Sequence, residues 1–592
     1  MKHPLLKTII TILIIITITA QPILMAEANS SRDKLHSKYK WDLTVIYPTE
    51  TEWEKDTKLL KEELYPKIAG FKGKLDNKIN TLTCLKTRDE TYNVLDKVHN
   101  YAKRNFDIDQ NEPTAKELYG KAVLLRQEFN IVTAFIAPEL AVKSDTVLKG
   151  YLNDPDFAKY QSTIYYVLTN KHNISMEKST ILSLATALTT TPDDTRSMLI
   201  TDIENKNLSY ANLGNTFAAL LNAEVNKNIF LARVNNHNSA LEASLNEKNI
   251  PVSVYENLIT SADKGLEAMH KFQSFNINQK SINYEKAQEL LLNALTPLGE
   301  EYYLLMETAF NENWIDVYPT LNKKDGAYCS YFADPHPFIL INYDDTFRSV
   351  STLAHELGHA AHIYYSKDSP PTLFTTEVAA AMNEILLCKY MINNAQTDNE
   401  KIAYMNELLN LYSNKFFRQI MFAEFEKLIY EKVEAGNTLT LETLNDLYLD
   451  LMQKYYGENV APSDANGWMW IDHFYWNFYV FQYATSVVVA SPLSFEISEN
   501  KSGDLETYLE FLHSGSRYDS VTTLLNTGVD ITSPQVMDNF VEEYASLVNE
   551  MEQLLNKQQT FHIIYIFLWS TNVFILCITI FLSCAKKKKM AV

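Results

Sequence analysis

The sequence predicts a mainly α-helical protein with a small β-sheet and one C-terminal transmembrane helix. Gly and Pro, which mark the turns of many-stranded sheets, are scarce among the 592 residues, at 15 and 18. Long runs rich in Leu, Glu, Lys and Asn carry apolar residues at helical spacing. The one clear strand signal is the segment PFILINYDD, at 337–345, so we expect the sheet to be small.

Composition argues against some partners and sites. The formal net charge is −20, whereas nucleic-acid binding requires concentrated positive charge, so no nucleic-acid partner is expected. The five cysteines include two in the apolar C-terminus, the other three are far apart, and no Cys-x-x-Cys spacing occurs. The sequence therefore predicts neither a disulfide framework nor a thiolate metal site.

Residues 1–28 have the layout of a secretory signal peptide. A positively charged start, with Lys2 and Lys7, precedes an apolar run at 9–20. The tripeptide Ala-Glu-Ala at 26–28 then matches the small-residue pattern of a cleavage site. The alternative is an uncleaved signal anchor.

The C-terminal segment 561–584 is apolar and about long enough to cross a bilayer as one helix. Four lysines at 586–589 follow it, within a basic tail at 585–592. Under the positive-inside rule this tail stays in the cytoplasm, and the body of the chain lies outside the cytoplasm. The sequence therefore predicts a membrane-anchored, exported protein that contacts the lipid bilayer through its C-terminal helix.

Between these ends, the chain has the pattern of successive amphipathic helices. The turn signals DQNEPT, NDPDF and TTTPDDT interrupt the helical pattern before residue 196. We therefore predict an N-terminal helical region at 29–195 and a second domain at 196–555, which contains the strand. If the strand FILINY lies at a sheet edge, it can bind an extended peptide through main-chain hydrogen bonds.

The segment STLAHELGHAAH, at 351–362, carries a candidate metal site. Its Ala and Leu content favours a helix, which places His355 and His359 one turn apart on one face. That spacing lets two imidazoles bind one zinc ion, and Glu356 can act as a base toward a water molecule there. The alternative is an ordinary helix whose polar residues bind no metal. His362 either contacts the site or is an ordinary polar residue near the helix end.

A catalytic zinc ion usually has three protein ligands, so a third one is required. A histidine six residues after His359 would fall on Tyr365, and a glutamate about twenty residues on would fall near Val378. Both of these zinc classes are therefore excluded. The available carboxylates are Glu377 and Glu384, which are seven residues apart and share one helix face.

Several segments resemble oligoendopeptidase F, in the family that also holds thimet oligopeptidase and neurolysin. They include WDLTVIYP, DGAYCSYFADPHPFILINYDDTFRSVSTLAHELGH and YLEFLHSGSRYDSVTTLLNTGVDITSP. The resemblance covers about Trp41 to Leu555. It implies a large helical body with a deep channel, a small sheet beside the zinc helix, and a catalytic domain at 196–555.

The resemblance also implies a ligand set. It assigns one zinc ion per chain to His355, His359 and Glu384, because Glu384 follows His359 by 25 residues. Glu356 is then the general base. Glu377 is expected to orient a ligand histidine.

A second segment, HFYWNFYVFQYAT at 473–485, places Tyr475, Tyr479 and Tyr483 at i, i+4 and i+8. On a helix these rings share one face, which is either a core stripe or a row of O–H donors for an oxyanion. The resemblance favours donors, and it implies that His473, Tyr479 and Tyr483 bind substrate and stabilise the transition state. His336 is expected to be structural or exposed.

Together these patterns predict a zinc-dependent endopeptidase that hydrolyses internal bonds of short oligopeptides outside the cytoplasm. One alternative is a zinc exopeptidase, which needs fixed groups that bind a terminal charge. The other is a non-catalytic, membrane-tethered helical binding module. The presence of Glu356 beside a complete ligand set argues against this alternative.

Overall fold

The computed structural model of the chain describes residues 32–558 and 560, apart from 172–173, 177, 179–191, 194, 201–202, 204–209, 276–280, 331, 333–334, 368, 458–459, 500–502 and 559. The described part is mainly helical with one small sheet. These two parts of the predicted fold class are confirmed.

The helices fall into three groups along the chain. Those before residue 171 are α1 (Glu50–Leu59), α2 (Tyr65–Ala69), α3 (Lys78–Ile108), α4 (Pro113–Thr133), α5 (Ile136–Ala141), α6 (Asp145–Leu152) and α7 (Gln161–Asn170). Those between residue 210 and the sheet are α8 (Gly214–Val234), α9 (Ala240–Glu247), α10 (Val252–Gln273), α11 (Tyr284–Ala294) and α12 (Glu300–Asn311). Those after the sheet are α13 (Phe347–Tyr365), α14 (Leu373–Asn393), α15 (Asp398–Tyr412), α16 (Arg418–Glu434), α17 (Leu441–Tyr456), α18 (Phe481–Ser498), α19 (Asp504–Ser514), α20 (Ser520–Leu525) and α21 (534–558).

Side-chain caps set where the two central helices begin. The Thr346 hydroxyl accepts a hydrogen bond from the amide of Ser349 at the start of α13. In the same way, Thr372 accepts from the amide of Thr375 at the start of α14. Each cap satisfies an amide that has no partner within its own helix, and so fixes the helix boundary.

The sheet has three short strands in the order β1 (Ile315–Asp316), β3 (Ile339–Leu340) and β2 (Tyr328–Cys329). β1 is parallel to β3, and β2 is antiparallel to it. The strand predicted at 337–345 therefore lies in the centre, with a partner on each side. The sequence left open whether this strand lies at a sheet edge, and the edge strand that contacts α13 is β2.

Strand β3 lies between two hydrophobic cores. Phe338 and Leu340 pack into a core formed mainly by residues 41–167. Ile339 and Ile341 pack into the larger core, which extends from 203 to 551. Successive strand side chains point to opposite faces, so one strand serves both cores. The domain boundary at 195/196 stays a prediction.

The predicted transmembrane helix is corrected. No helix in the described ranges is long and apolar enough to span a membrane. The segments 1–28, 561–584 and 585–592 lie outside the described residues. The transmembrane helix is therefore removed from the fold class, and the bilayer contact and membrane-anchored location that depended on it are withdrawn.

Among the described helices, α14 shows why a buried, largely apolar helix need not span a membrane. Although α14 is buried along most of its length, it contains Glu377, Glu384 and Lys389. Charged side chains at this density suit a protein interior with polar partners, and they are costly in a hydrocarbon core.

Helices α13 and α14 approach each other closely at Gly358. A Cβ atom at this position would lie 2.4 Å from the carbonyl oxygen of Ala379 and 2.6 Å from the Cα of Ala380. A larger residue therefore requires the two backbones to separate. The Asn383 amide also donates to the carbonyl of Ala354, at 3.2 Å, and fixes the same pairing.

We predict that Gly358→Ala pushes α14 away from α13. The added methyl should cost about 1–3 kcal/mol of unfolding free energy, as overpacking does, and it should weaken metal binding by displacing Glu377. Denaturant unfolding and metal titration measure both effects. Gly120→Ala is the matched control, because nothing lies within 4 Å of its Cβ position in α4, and it should stabilise the protein slightly. An unchanged metal affinity in Gly358→Ala would contradict the prediction.

Candidate metal centre

The two histidines of α13 converge on one point. Because they are one helical turn apart, both rings point the same way, and their Nε2 atoms are 3.1 Å apart. The Nδ1 atom of His359 lies 3.2 Å from the hydroxyl of Thr376 on α14. A partner at Nδ1 leaves Nε2 free to bind a ligand.

Glu377 on α14 completes a group of three. Its carboxylate lies 3.6 Å from Nε2 of His355 and 3.9 Å from Nε2 of His359. Ligand atoms of His355, His359 and Glu377 all lie within 4.8 Å of one another, close enough to hold one metal ion. Glu377 was expected to orient a histidine, and the structure instead places its carboxylate at the centre.

Glu384 occupies the opposite side of the His355 ring. Its Oε2 lies 2.8 Å from Nδ1 of His355, and its Oε1 accepts a hydrogen bond from Ser351 at 2.9 Å. The structure therefore brings Glu384 to the site, but not to the point where the two Nε2 atoms meet.

Lys415 is a site residue that the sequence analysis missed. Its ammonium lies 3.3 Å from Oε2 of Glu384 and 5.3 Å from the centre of the Tyr483 ring. Burial alone would raise the pKa of Glu384, but Lys415 and His355 lower it to about 2. Lys415 lies in a single π-helical turn, Ser413–Phe417, for which the sequence gives no signal.

Glu356 lies in the same cluster with a free oxygen. The residue is 5% exposed, and its Oε2 atom has no hydrogen-bond partner among the described residues. Burial raises the pKa of its carboxyl group to about 7, against the opposing effect of His355. A carboxyl group with such a pKa can exchange a proton near neutral pH.

The aromatic segment places three of its predicted residues at the site. The Tyr479 hydroxyl donates to Glu377 at 3.2 Å, and Nε2 of His473 lies 3.3 Å from the Tyr483 hydroxyl. Tyr475 does not share this face, since its ring packs against Arg196 instead. The prediction of a three-tyrosine helix face is therefore wrong.

The reason is a break in the helix. His473 and Tyr475 belong to a short 3₁₀-helix, Asp472–Tyr475, whereas α18 begins only at Phe481. Two residues between them, Asn477 and Phe478, have left-handed backbones with φ of 41° and 54°.

The donor set at the centre suits a divalent metal. Two imidazole nitrogens and one carboxylate are the ligands of many catalytic zinc sites, which keep a fourth position open. The Oε2 atoms of Glu356 and Glu377 are buried without a partner among the described residues. Buried carboxylate oxygens without partners are costly, and a cation at this point would offset that cost.

Residues 275–543 match the model of peptidase family M3. The chain is also 30% identical to oligopeptidase PepF of Bacillus subtilis, over 89% of this chain and 88% of that protein. The chain belongs to peptidase family M3. It is a metalloendopeptidase, and the resemblance found in the sequence is confirmed.

Two further proteins show how far the similarity extends. Group B oligopeptidase PepB of Streptococcus agalactiae is 28% identical, over 89% of this chain and 99% of that protein. The crystal structure of oligoendopeptidase-F from Enterococcus faecium superposes with a TM-score of 0.67 at 25% identity, covering 86% of this chain and 99% of that one.

A cavity of about 930 Å³ is lined by residues that include Phe374 of α14 and Gln482 of α18. Phe374 precedes Glu377 by three residues, and Gln482 adjoins Tyr483 in the sequence. The residues of the metal centre do not line this cavity. The Oε1 atom of Gln482 is buried and has no hydrogen-bond partner in the described part of the chain.

Two other histidines lie outside this centre. His336 is 8% exposed, and its ring stacks on Trp314 with centroids 4.8 Å apart. His362 is fully buried, and its ring packs against Phe511 at 4.8 Å. Neither ring nitrogen of His362 has a hydrogen-bond partner among the described residues, so the structure places this histidine in a core and not at the centre.

We predict that His362 weakens the fold in acid. Burial lowers its pKa from 6.5 to about 3, so the unfolded chain binds a proton that the folded chain does not between these values. The unfolding free energy therefore falls as the pH drops below 6.5. The His362→Leu variant lacks this contribution. Between pH 7 and pH 5 its unfolding free energy should therefore fall by about 2 kcal/mol less than that of the wild type. Urea unfolding of both proteins at each pH measures this difference. Parallel dependence of the two unfolding free energies on pH would contradict the prediction.

Proposed function

We propose that this chain is a zinc-dependent endopeptidase that hydrolyses internal bonds of short oligopeptides, with Glu356 as general base. The observation that supports the proposal most directly is the convergence of His355, His359 and Glu377 beside the unpaired carboxyl group of Glu356. Membership of family M3 and relatives named oligopeptidases favour the same reaction and substrate class.

We infer that the zinc ligands are His355, His359 and Glu377, with Glu384 outside the set. One imidazole ring cannot direct Nδ1 and Nε2 to the same ion, and Glu384 lies at Nδ1 of His355. Glu384 then orients that ring and increases its basicity, as carboxylates beside metal-bound histidines do. The roles of Glu377 and Glu384 are thus the reverse of the sequence-based assignment.

His355, His359 and Glu377 would hold the zinc ion, which would supply a Lewis acid to polarise the scissile carbonyl and acidify a water molecule. Glu356 accepts a proton from the attacking water and then donates it to the leaving amine. Its carboxyl group lies near enough to His355 and Glu377 for their charges to shift its pKa, which supports both roles. The carboxyl group therefore serves first as base and then as acid.

The aromatic residues supply hydrogen bonds to the developing oxyanion. Tyr483 and His473 present an O–H and a ring nitrogen within 3.3 Å of each other on one side of the centre. Donors in such a buried place stabilise the tetrahedral state more than the substrate. Tyr479 instead holds the Glu377 carboxylate through its hydroxyl.

The cavity that Phe374 and Gln482 help to line is a candidate for the space that holds the peptide. Its volume of about 930 Å³ is that of a site for a drug-sized ligand, which corresponds to a few residues of an extended peptide. The edge strand β2 beside α13 offers main-chain hydrogen bonds.

The ligand assignment predicts unequal losses of metal affinity. Glu377→Gln removes a direct ligand and should weaken zinc binding by at least tenfold more than Glu384→Gln. Glu384→Gln should weaken it by about 10- to 100-fold, as the loss of an orienting carboxylate does. Competition titration with a zinc-binding dye gives both constants. A larger loss in Glu384→Gln would restore the sequence-based assignment.

The mechanism predicts that Glu356→Gln binds zinc like the wild type and loses cleavage by about 10²- to 10⁴-fold in kcat. An internally quenched peptide reports the rate, and mass spectrometry of the products separates internal from terminal cleavage. A chelator should abolish wild-type cleavage, and added zinc should restore it. Release of single terminal residues would favour an exopeptidase, and undiminished cleavage by Glu356→Gln would refute the base.

A further inference from the structure

Glu426 is a buried carboxyl group that the proposed mechanism does not use. It lies on α16 and is 0% exposed. Its Oε1 accepts the backbone N–H of Phe478 at 2.6 Å, and its Oε2 has no partner among the described residues. Burying a carboxyl group this deeply is costly, so its contact with Phe478 is expected to serve a purpose.

Phe478 belongs to an unusual turn. It and Asn477 are both left-handed, a conformation that places the side chain against the following carbonyl and that bulky residues avoid. Phe478 is fully buried between the rings of Tyr430 and Tyr255, at 4.6 and 5.8 Å. The Ser244 hydroxyl donates to the carbonyl of Asn477 at 2.8 Å. The turn is therefore strained and held from two sides.

This turn determines where the aromatic donors lie. On one continuous helix, His473 and Tyr483 would be roughly 15 Å apart along the axis. The turn folds the 3₁₀-helix back, so that Nε2 of His473 lies 3.3 Å from the Tyr483 hydroxyl. The next residue after the turn, Tyr479, donates to Glu377. A shift of the turn would displace all three side chains together.

We propose that Glu426 is a positioning residue: by holding the amide of Phe478, it fixes the left-handed turn and so places His473, Tyr479 and Tyr483 at the metal centre. This inference rests on the proposed roles of His473 and Tyr483. Glu426 touches neither the ligands nor the cavity. It acts through the backbone alone, and an oxygen acceptor is the only feature that the role requires.

The test compares variants that keep or remove this acceptor. Glu426→Leu leaves the Phe478 amide unpaired and should lower the kcat of the zinc-saturated enzyme by about 10- to 100-fold, as small misplacements of catalytic groups do, with KM unchanged. Glu426→Gln retains an oxygen and should recover most of the rate. Ser244→Ala removes the hydroxyl that holds the carbonyl of Asn477 and should also lower kcat. This variant tests the role of the turn if Glu426→Leu does not fold.

Asp316→Leu is the matched control. Asp316 is equally buried, on β1, and pairs with Arg32 and Lys323, away from the turn. It should lower the melting temperature and leave kcat unchanged. If the Glu426 and Ser244 variants also lower only the melting temperature, the inference is overturned.

A double-mutant cycle with Tyr483→Phe separates this inference from the proposed function. If Glu426 acts through the aromatic donors, Glu426→Leu should cost much less in the Tyr483→Phe background than in the wild type. Additive losses overturn the inference and leave the role of Tyr483 standing. If Tyr483→Phe alone has no effect on kcat, the proposed role of Tyr483 fails, and the inference fails with it.

Discussion

The close contact of α13 and α14 at Gly358 is the constraint on which the metal centre depends. Because no Cβ atom separates the backbones there, the two helices pack at a distance that larger residues would prevent. His355 and His359 flank Gly358 on one helix, and Glu377 and Glu384 flank the contact on the other. The first carboxylate therefore reaches the Nε2 side of the histidines, and the second reaches the Nδ1 side of His355.

The same packing brings more carboxyl groups into the site than the cationic side chains there can neutralise. Three carboxyl groups, those of Glu356, Glu377 and Glu384, lie in a buried cluster near one ammonium, that of Lys415. Lys415 and His355 pair with Glu384. One oxygen each of Glu356 and Glu377 has no hydrogen-bond partner among the described residues. The proposed mechanism uses these oxygens, which lack hydrogen-bond partners in the described part of the chain, and their burial lowers the stability of the fold, as is common at active sites.

What the sequence could predict was local. The helical repeat of HELGH placed His355 and His359 together, and the resemblance supplied the family. The sequence-based assignment of Glu384 as a ligand stays a prediction, because which of Glu377 and Glu384 faces the metal depends on how α14 aligns with α13, and the contact at Gly358 sets that alignment. Counting residues from His359 cannot reveal it, because a connecting loop intervenes. Lys415 and the turn at Phe478 were missed for a related reason, since π-helical turns and left-handed bulky residues have no sequence pattern.

The position of β3 has a consequence for folding cooperativity. Its side chains alternate between the core of residues 41–167 and the core of residues 203–551, so neither core is complete without the strand. Near the start of the described chain, Arg32 also pairs with Asp316 on β1. Separating the two regions would uncover Phe338 and Leu340 on one side and Ile339 and Ile341 on the other. We therefore expect the two regions to unfold together, and the metal centre to be lost when the N-terminal core unfolds.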